Sequence, residues 1–221
     1  MPNGNRVVLW RHGQTDWNIN NRFQGHSDIP LNEVGKYQAE HAARLLADMQ
    51  PTKIISSDLQ RARVTAQALS DLTKLPVGID TDLRETNGGK WEGKTGKENR
   101  AEDFANFVKW IDGDDNPAGE TGERRTAVAI RAVGAIERAL AGGGDQQVLI
   151  VATHGGTARC VLGHLLQLPQ SHWGVIGGLS NAAWSILQMS PKGWHLVEHN
   201  SGSIPEPVYG EESGAEPNGE K

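Results

Sequence analysis

The chain offers its chemistry at two places. Leu9-Trp10-Arg11-His12-Gly13-Gln14-Thr15 follows the apolar pair Val7-Val8, and His154-Gly155-Gly156 follows the apolar run Val148-Leu149-Ile150-Val151-Ala152-Thr153. Each places a His-Gly pair where a short buried strand should end. Ligands of open α/β sheets sit outside the carboxyl ends of the strands. A histidine there can act as base or nucleophile, an arginine can grip an anion, and a glycine lets the backbone approach a ligand. Arg61, in Ser56-Ser57-Asp58-Leu59-Gln60-Arg61-Ala62, and Glu85, in Leu83-Arg84-Glu85-Thr86, also lie just past short apolar segments. Arg11, His12, Arg61, Glu85 and His154 can therefore face one crevice.

Two arginines, two histidines and a carboxylate suit a phosphoryl group. The arginines offer forked donors to its oxygens. One histidine can attack phosphorus and hold the group covalently. The other, if protonated, can bind the equatorial oxygens, whose charge must be stabilised in the transition state. The glutamate can protonate the leaving oxygen and then take a proton from water.

The elements that must position these groups are legible as alternating strands and helices. Residues 7–10 read as a buried strand and 11–31 as a functional loop. A helix follows, capped by Asn32, with Leu45, Leu46 and Met49 continuing its apolar stripe until Pro51 stops it. Ile54-Ile55 reads as a strand. Asp58 then opens a helix with Ala62, Ala66 and Leu69 on one face, and Val77 and Ile79 fit a third strand. Residues 84–100 read as glycine-rich and irregular. The next helix shows Phe104, Phe107, Val108 and Ile111 on one face, and residues 112–122 form a loop. A longer helix is marked by Ala129, Val133, Ile136 and Leu140, and Gly142-Gly143-Gly144 ends it. The clearest strand is 148–152, followed by a helix over about 156–166 and strands near 182–189 and 194–198. This alternation predicts an α/β fold with a mostly parallel sheet covered on both faces. The division expected is one domain over 1–200 and a disordered acidic tail over 201–221, which holds five Glu, four Gly and three Pro.

Composition narrows the function. With 221 residues, 37% hydrophobic and 22% charged, the chain fits one ordinary domain. A net charge of −5 and no basic block argue against nucleic acid. The single Cys160 excludes an internal disulfide and a cysteine metal cage. No apolar stretch suits a signal h-region or a membrane span, so a cytoplasmic enzyme is expected. No metal or other cofactor is expected, and the partner is a small phosphate ester. Oligomeric state is not legible, and a homodimer stays open.

The segments LWRHGQTDWN, FQG, SSDLQRARVTA, LRETNGGKWEG and ATHGG occur in order across residues 7–199. Together they resemble the histidine phosphatase superfamily, also called phosphoglycerate-mutase-like. The resemblance implies a three-layer α/β/α sandwich that needs no metal. It implies that His12 becomes phosphohistidine, that Arg11, Arg61 and His154 complete the phosphate pocket, and that Glu85 is the proton donor. Asn18 and Gln24 match further pocket positions, and Gly155 is expected to touch substrate beside His154. HGGTARCVLGHLLQLP and GGLSNAAW are similar to actinobacterial glucosyl-3-phosphoglycerate phosphatases, which suggests that substrate. The reading is a metal-independent phosphomonoesterase. One rival is a cofactor-dependent phosphoglycerate mutase, but this chain has Glu85-Thr86-Asn87-Gly88-Gly89 where mutases carry a Glu-Arg-His-Tyr-Gly-type stretch. Another is a phosphate-binding regulatory module without turnover, which would not need a His12/Glu85 pair.

Other polar and aromatic residues have plainer expectations. His26, His41, His164 and His172 match no motif and read as surface or packing residues. His195 and His199 would stand about 13 Å apart along a strand, too far to share an ion. Glu120 and Glu123, in a GETGE turn, read as solvated carboxylates, with a supporting role near Arg61 or His154 as the alternative. Trp184 and Trp194 read as core. Trp91, Trp110 and Trp173 lie in or beside loops that can overhang the site. Above the phosphate pocket, Trp91, Lys94 and Lys97 offer an apolar face and positive charge for the rest of a substrate, with Lys90 in the same segment.

Overall fold

A computed structural model describes residues 4–202 of the chain. Its centre is a six-stranded sheet of order β3-β2-β4-β1-β5-β6, formed by β1 (Arg6–Arg11), β2 (Lys53–Ser56), β3 (Val77–Ile79), β4 (Val148–Thr153), β5 (Trp184–Ser190) and β6 (Gly193–Ser201). The first four strands are parallel, and β5 and β6 add antiparallel at one edge. In β1, Val7 and Leu9 face one core cluster while Val8 and Trp10 face another. A strand buried on both faces needs apolar residues at successive positions, as this one has.

The helices supply the two outer layers. The first face packs against α6 (Arg125–Leu140) and α7 (Gly155–Leu165) through Ala132, Ile136, Val161 and Leu162. The second packs against α2 (Glu33–Ala47) and α3 (Gln60–Thr73) through Ala42, Ala43, Leu46, Ala66 and Leu69. The three-layer α/β/α expectation therefore holds.

Several local expectations need correction. The loop after β1 contains a short helix, α1 (Asp16–Ile19), closed by a Thr15/Asn18 capping box. The irregular segment ends in α4 (Gly96–Glu102), where Thr95 and Glu98 form a second capping box. In α2 the buried stripe is Ala39, Ala42, Ala43 and Leu46, whereas Leu45 is exposed. Helix α5 (Phe104–Ile111) buries Phe107 and Trp110 with Phe23, Trp91 and Ala118, while Phe104 and Ile111 face outward. Asp58 does not cap α3 but pairs with Arg84. Ser201 belongs to β6, opposite Trp184, so the boundary expected at 200 falls inside a strand. The rest of the predicted tail, from residue 203 on, lies outside the described residues.

The exit from β1 rests directly on the start of α2. Asn32 caps α2 through Gly35 N at 2.8 Å, Gln14 N donates to Gln38 Oε1 at 2.9 Å, and Gly13 N donates to Thr65 Oγ1 at 3.1 Å. A Cβ on Gly35 would run into the Gln14 carbonyl, and one on Gly13 into the Gly35 carbonyl. Backbone cannot yield as a flexible side chain can. Gly35→Ala should therefore cost roughly 1–3 kcal/mol, the range for overpacking. A drop in Tm of several degrees in calorimetry is expected, and an unchanged Tm would show that the loop after β1 shifts freely over the start of α2.

Candidate active site

The site residues sit at the carboxyl edge of the parallel strands. Arg11 ends β1 and pairs with Thr153, which ends the neighbouring β4. His12 and His154 follow these residues, and their rings meet edge to face at 5.2 Å between centroids. Arg61 lies in the first turn of α3, after β2. Glu85 follows a turn of 3-10 helix at Thr81–Leu83. All five side chains are buried.

His12 Nδ1 lies 2.7 Å from the Gly13 carbonyl, which only accepts, so the ring proton is on Nδ1. The lone pair of the neutral ring is then on Nε2. Burial, then the charges of Arg61 and Arg11, hold this imidazole well below its ordinary 6.5. A neutral ring with its lone pair at Nε2 is the form a nucleophile requires.

Arg61 has no exposed surface. It donates to Ser27 O at 2.7 Å, Gly25 O at 2.8 Å and His154 Nδ1 at 3.2 Å. Burial pushes its pKa down to about 10, and the Glu85 carboxylate is the largest opposing influence, so the guanidinium is charged at neutral pH. Because Arg61 must donate, His154 Nδ1 accepts. The His154 proton is therefore on Nε2, 2.9 Å from Ser57 Oγ. Burial and Arg61 also hold His154 well below 6.5. The condition that the second histidine be protonated is not met in this arrangement, and it can offer a phosphoryl oxygen only a neutral N–H.

Glu85 caps a helix from 71 residues away. His154 is the N-cap residue of α7 but makes no side-chain cap, leaving orphan N–H groups. Glu85 takes Gly156 N on Oε2 at 3.0 Å, and Thr157 N and Thr86 N on Oε1 at 3.0 and 2.8 Å. The carboxylate thus sits at the positive end of α7. A Cβ on Gly156 would come within 2.6 Å of Glu85 Oε1, so this glycine admits the carboxylate. Sequence reasoning singled out Gly155, which begins α7 and is buried, but not Gly156.

The remaining predicted residues differ. Arg11 Nη1 donates to Leu179 O. Asn18 Oδ1 accepts from Thr15 N and, at 3.3 Å, from Asn181 Nδ2, which also reaches His12 O. Gln24 is buried, and its Oε1 has no hydrogen-bond partner among the described residues. An unmet buried acceptor costs roughly 1–3 kcal/mol and is relieved by a ligand donor.

The overhanging aromatic face is not present. Trp91 is buried in the Phe23–Phe107–Trp110 cluster, Arg125 lies over the Trp110 ring at 3.7 Å, and Trp173 is buried against Gly163. Lys90 and Lys94 pair with Glu120 and Glu102, and Lys97 is exposed. Glu123 is half-buried and forms a two-pronged pair with Arg131. His26, expected to be peripheral, donates through Nε2 to Glu85 O at 2.9 Å. Glu92 also escaped notice. It accepts from His26 N, Gly88 N, Ser27 N and Ser27 Oγ, tying residues 26–27 to the segment after Glu85. Its signal was only a carboxylate in a glycine-rich stretch. His195 and His199 bond separately to Ser190 and Ser185. Among the described residues no three His, Cys, Asp or Glu side chains gather as a metal cluster. No helix there is long and apolar enough to cross a membrane.

Two buried neutral imidazoles fix the sign of a pH effect. The unfolded chain protonates His12 and His154 near 6.5, while the folded chain resists. Their contribution to stability is therefore present above 6.5 and is lost as pH falls towards the lowered folded values. The slope is at most about 1.4 kcal/mol per pH unit for each ring. Urea denaturation at about pH 7.5 and about pH 5.5 should show this loss, and His12→Gln should flatten it. A wild-type profile as flat as the variant's would mean that the rings are protonated in the fold.

The family model described as histidine phosphatase superfamily (branch 1) matches residues 7–202. The chain is 42% identical over 186 residues to a glucosyl-3-phosphoglycerate phosphatase of Mycolicibacterium vanbaalenii, covering 81% of this chain and 82% of that one. It is 39% identical over 189 residues to the protein of the same name from Mycobacterium tuberculosis, covering 82% and 84%. The solved structure of a mycobacterial glucosyl-3-phosphoglycerate phosphatase in complex with VO3 superposes with a TM-score of 0.82 at 37% identity, covering 89% of this chain and 99% of that one. With its two His-Gly strand ends, buried arginine and helix-capping glutamate, the chain belongs to the histidine phosphatase superfamily.

Proposed function

We propose that this protein hydrolyses phosphoric monoesters without a metal, in two steps through a phosphohistidine at His12. The observation that carries the reading is the neutral His12 ring, with its proton committed to Gly13 O and its lone pair at Nε2. In the first step Nε2 attacks phosphorus and the P–O bond to the alcohol breaks. Glu85, entering this step in its protonated form, gives its proton to the departing oxygen and is left as the carboxylate. In the second step water attacks the phosphohistidine, Glu85 takes back a proton, the N–P bond breaks and inorganic phosphate leaves. Arg11 and Arg61 supply the positive charge that a metal supplies elsewhere. His154, Asn18, Gln24 and the Gly155 backbone complete the pocket for the phosphoryl oxygens.

The relatives' name supports glucosyl-3-phosphoglycerate as the substrate. Selectivity for the rest of that molecule must come from groups outside the phosphoryl pocket, and Trp91 does not supply a stacking face because it is buried. The protein acts in the cytoplasm on this reading, with a homodimer open.

Two measurements test the proposal. His12→Ala should lose at least about a thousandfold in turnover, as expected when a covalent nucleophile is removed. Rapid quenching of the wild type should trap acid-labile, base-stable phosphate on His12. Wild-type rates in His12→Ala would end the nucleophile assignment. Second, kcat/KM for glucosyl-3-phosphoglycerate should exceed that for 3-phosphoglycerate and simple hexose phosphates, because buried polar groups discriminate against analogues that leave them unpaired. Equal values would leave a phosphatase without this substrate preference.

A further inference from the structure

The Glu85 backbone is held from behind by a pair that no step above uses. Arg131, on α6, makes five N–H bonds, three of them to one short stretch of chain and two to Glu123. Nη1 donates to Asp82 O at 2.6 Å and Arg84 O at 2.7 Å, and Nη2 donates to Glu85 O at 2.9 Å. The other two go to Glu123: Nε to Oε1 and Nη2 to Oε2, each at 2.8 Å. Glu123 in turn accepts Asn87 N on Oε2 at 2.8 Å, and its own N–H reaches Asn87 O at 2.9 Å. The segment from Asp82 to Asn87 is not a strand, so these bonds stand where a sheet ladder would otherwise fix the chain. The side chains of Arg131 and Glu123 are 17% and 25% exposed, so the pair is shielded from the solvent that weakens surface ion pairs.

We propose that Glu123 and Arg131 are positioning residues that set where the Glu85 carboxylate stands, and hence how well it transfers a proton. The inference rests on the reading of Glu85 as the proton donor. Its logic is geometric. The α7 N-terminus fixes the Glu85 carboxylate, while the clamp fixes its backbone, with His26 as a second donor to Glu85 O. Both ends must be held for the acid to meet the leaving oxygen. A shift of about 1 Å in a reacting group can cost up to a hundredfold. Loosening the clamp should therefore damage the step that needs the acid and spare the step that does not.

The test compares kcat/KM, which reports the first transfer, for an alkyl phosphate and p-nitrophenyl phosphate in Glu85→Gln, Glu123→Gln, Arg131→Lys and the double variant Glu85→Gln/Glu123→Gln. An activated aryl leaving group needs little help from an acid. Glu123→Gln and Arg131→Lys should lower the alkyl rate roughly tenfold and leave the aryl rate within about twofold. In the Glu85→Gln background, Glu123→Gln should add nothing. The ratio of the two rates does not depend on the folded fraction, so partial unfolding cannot imitate this pattern, and the near-isosteric Glu123→Gln carries the test if Arg131→Lys folds poorly. An unchanged ratio in both clamp variants, beside a selective loss in Glu85→Gln, would overturn this proposal alone. Equal loss on both substrates in Glu85→Gln would overturn the proton-donor reading and the clamp with it.

Discussion

The site depends on a guanidinium with no exposed surface. Burying the Arg61 charge is costly unless its donors find partners, and three of its five N–H groups are taken by Gly25 O, Ser27 O and His154 Nδ1. Each partner is thereby constrained. The two carbonyls draw the loop after α1 over the carboxyl edge of the sheet. The third bond fixes the His154 tautomer and turns its remaining N–H to Ser57. The same charge, buried beside His12, discourages protonation of that ring. One buried cation therefore places a loop, sets a tautomer and keeps a histidine neutral.

A second constraint comes from the helices. Both α3 and α7 begin at the site, and neither is capped by its own N-cap side chain. Loop carboxylates cap them instead. Asp28 accepts Gln60 N at 2.7 Å, and Glu85 accepts Gly156 N and Thr157 N at 3.0 Å. Orphan N–H groups thus become anchors for the loops that line the crevice. Glu92 then joins residues 26–27 to the segment after Glu85 through backbone N–H bonds. These polar anchors act beside an apolar one, since Phe23 and Trp91 bury the same loops against Phe107 and Trp110 of α5.

Legibility in the sequence followed the range of the interaction. Strands β1 and β4 could be read because burial on both faces demands an unbroken apolar run. In α2 the apolar stripe of the sequence and the buried face part at Leu45, which is exposed. The side packed on the sheet holds Ala42, Ala43 and Leu46, and the two small alanines let the helix lie close. In α5 the buried face likewise differs from the predicted one. Trp110 lies on the buried face with Phe107, and Phe104 is left outside under Arg100. Helices α1 and α4 escaped because four and seven residues are too few to show a period, although each has a capping box.

The sequence by itself determined which chemical groups are present and at which strand ends they stand. Arg11, His12, Arg61, Glu85 and His154 could be picked out because a strand ends at a definite residue, and the residues just beyond that end must face the same edge. Only the tertiary structure decided the state of those groups and what holds them. The tautomers of His12 and His154, the capping of α7 by Glu85, the burial of Trp91 and the clamp of Glu123 and Arg131 join residues distant in the chain. Their spacing in sequence has no period and no local energy, so these relations came into being only when the sheet brought the segments together.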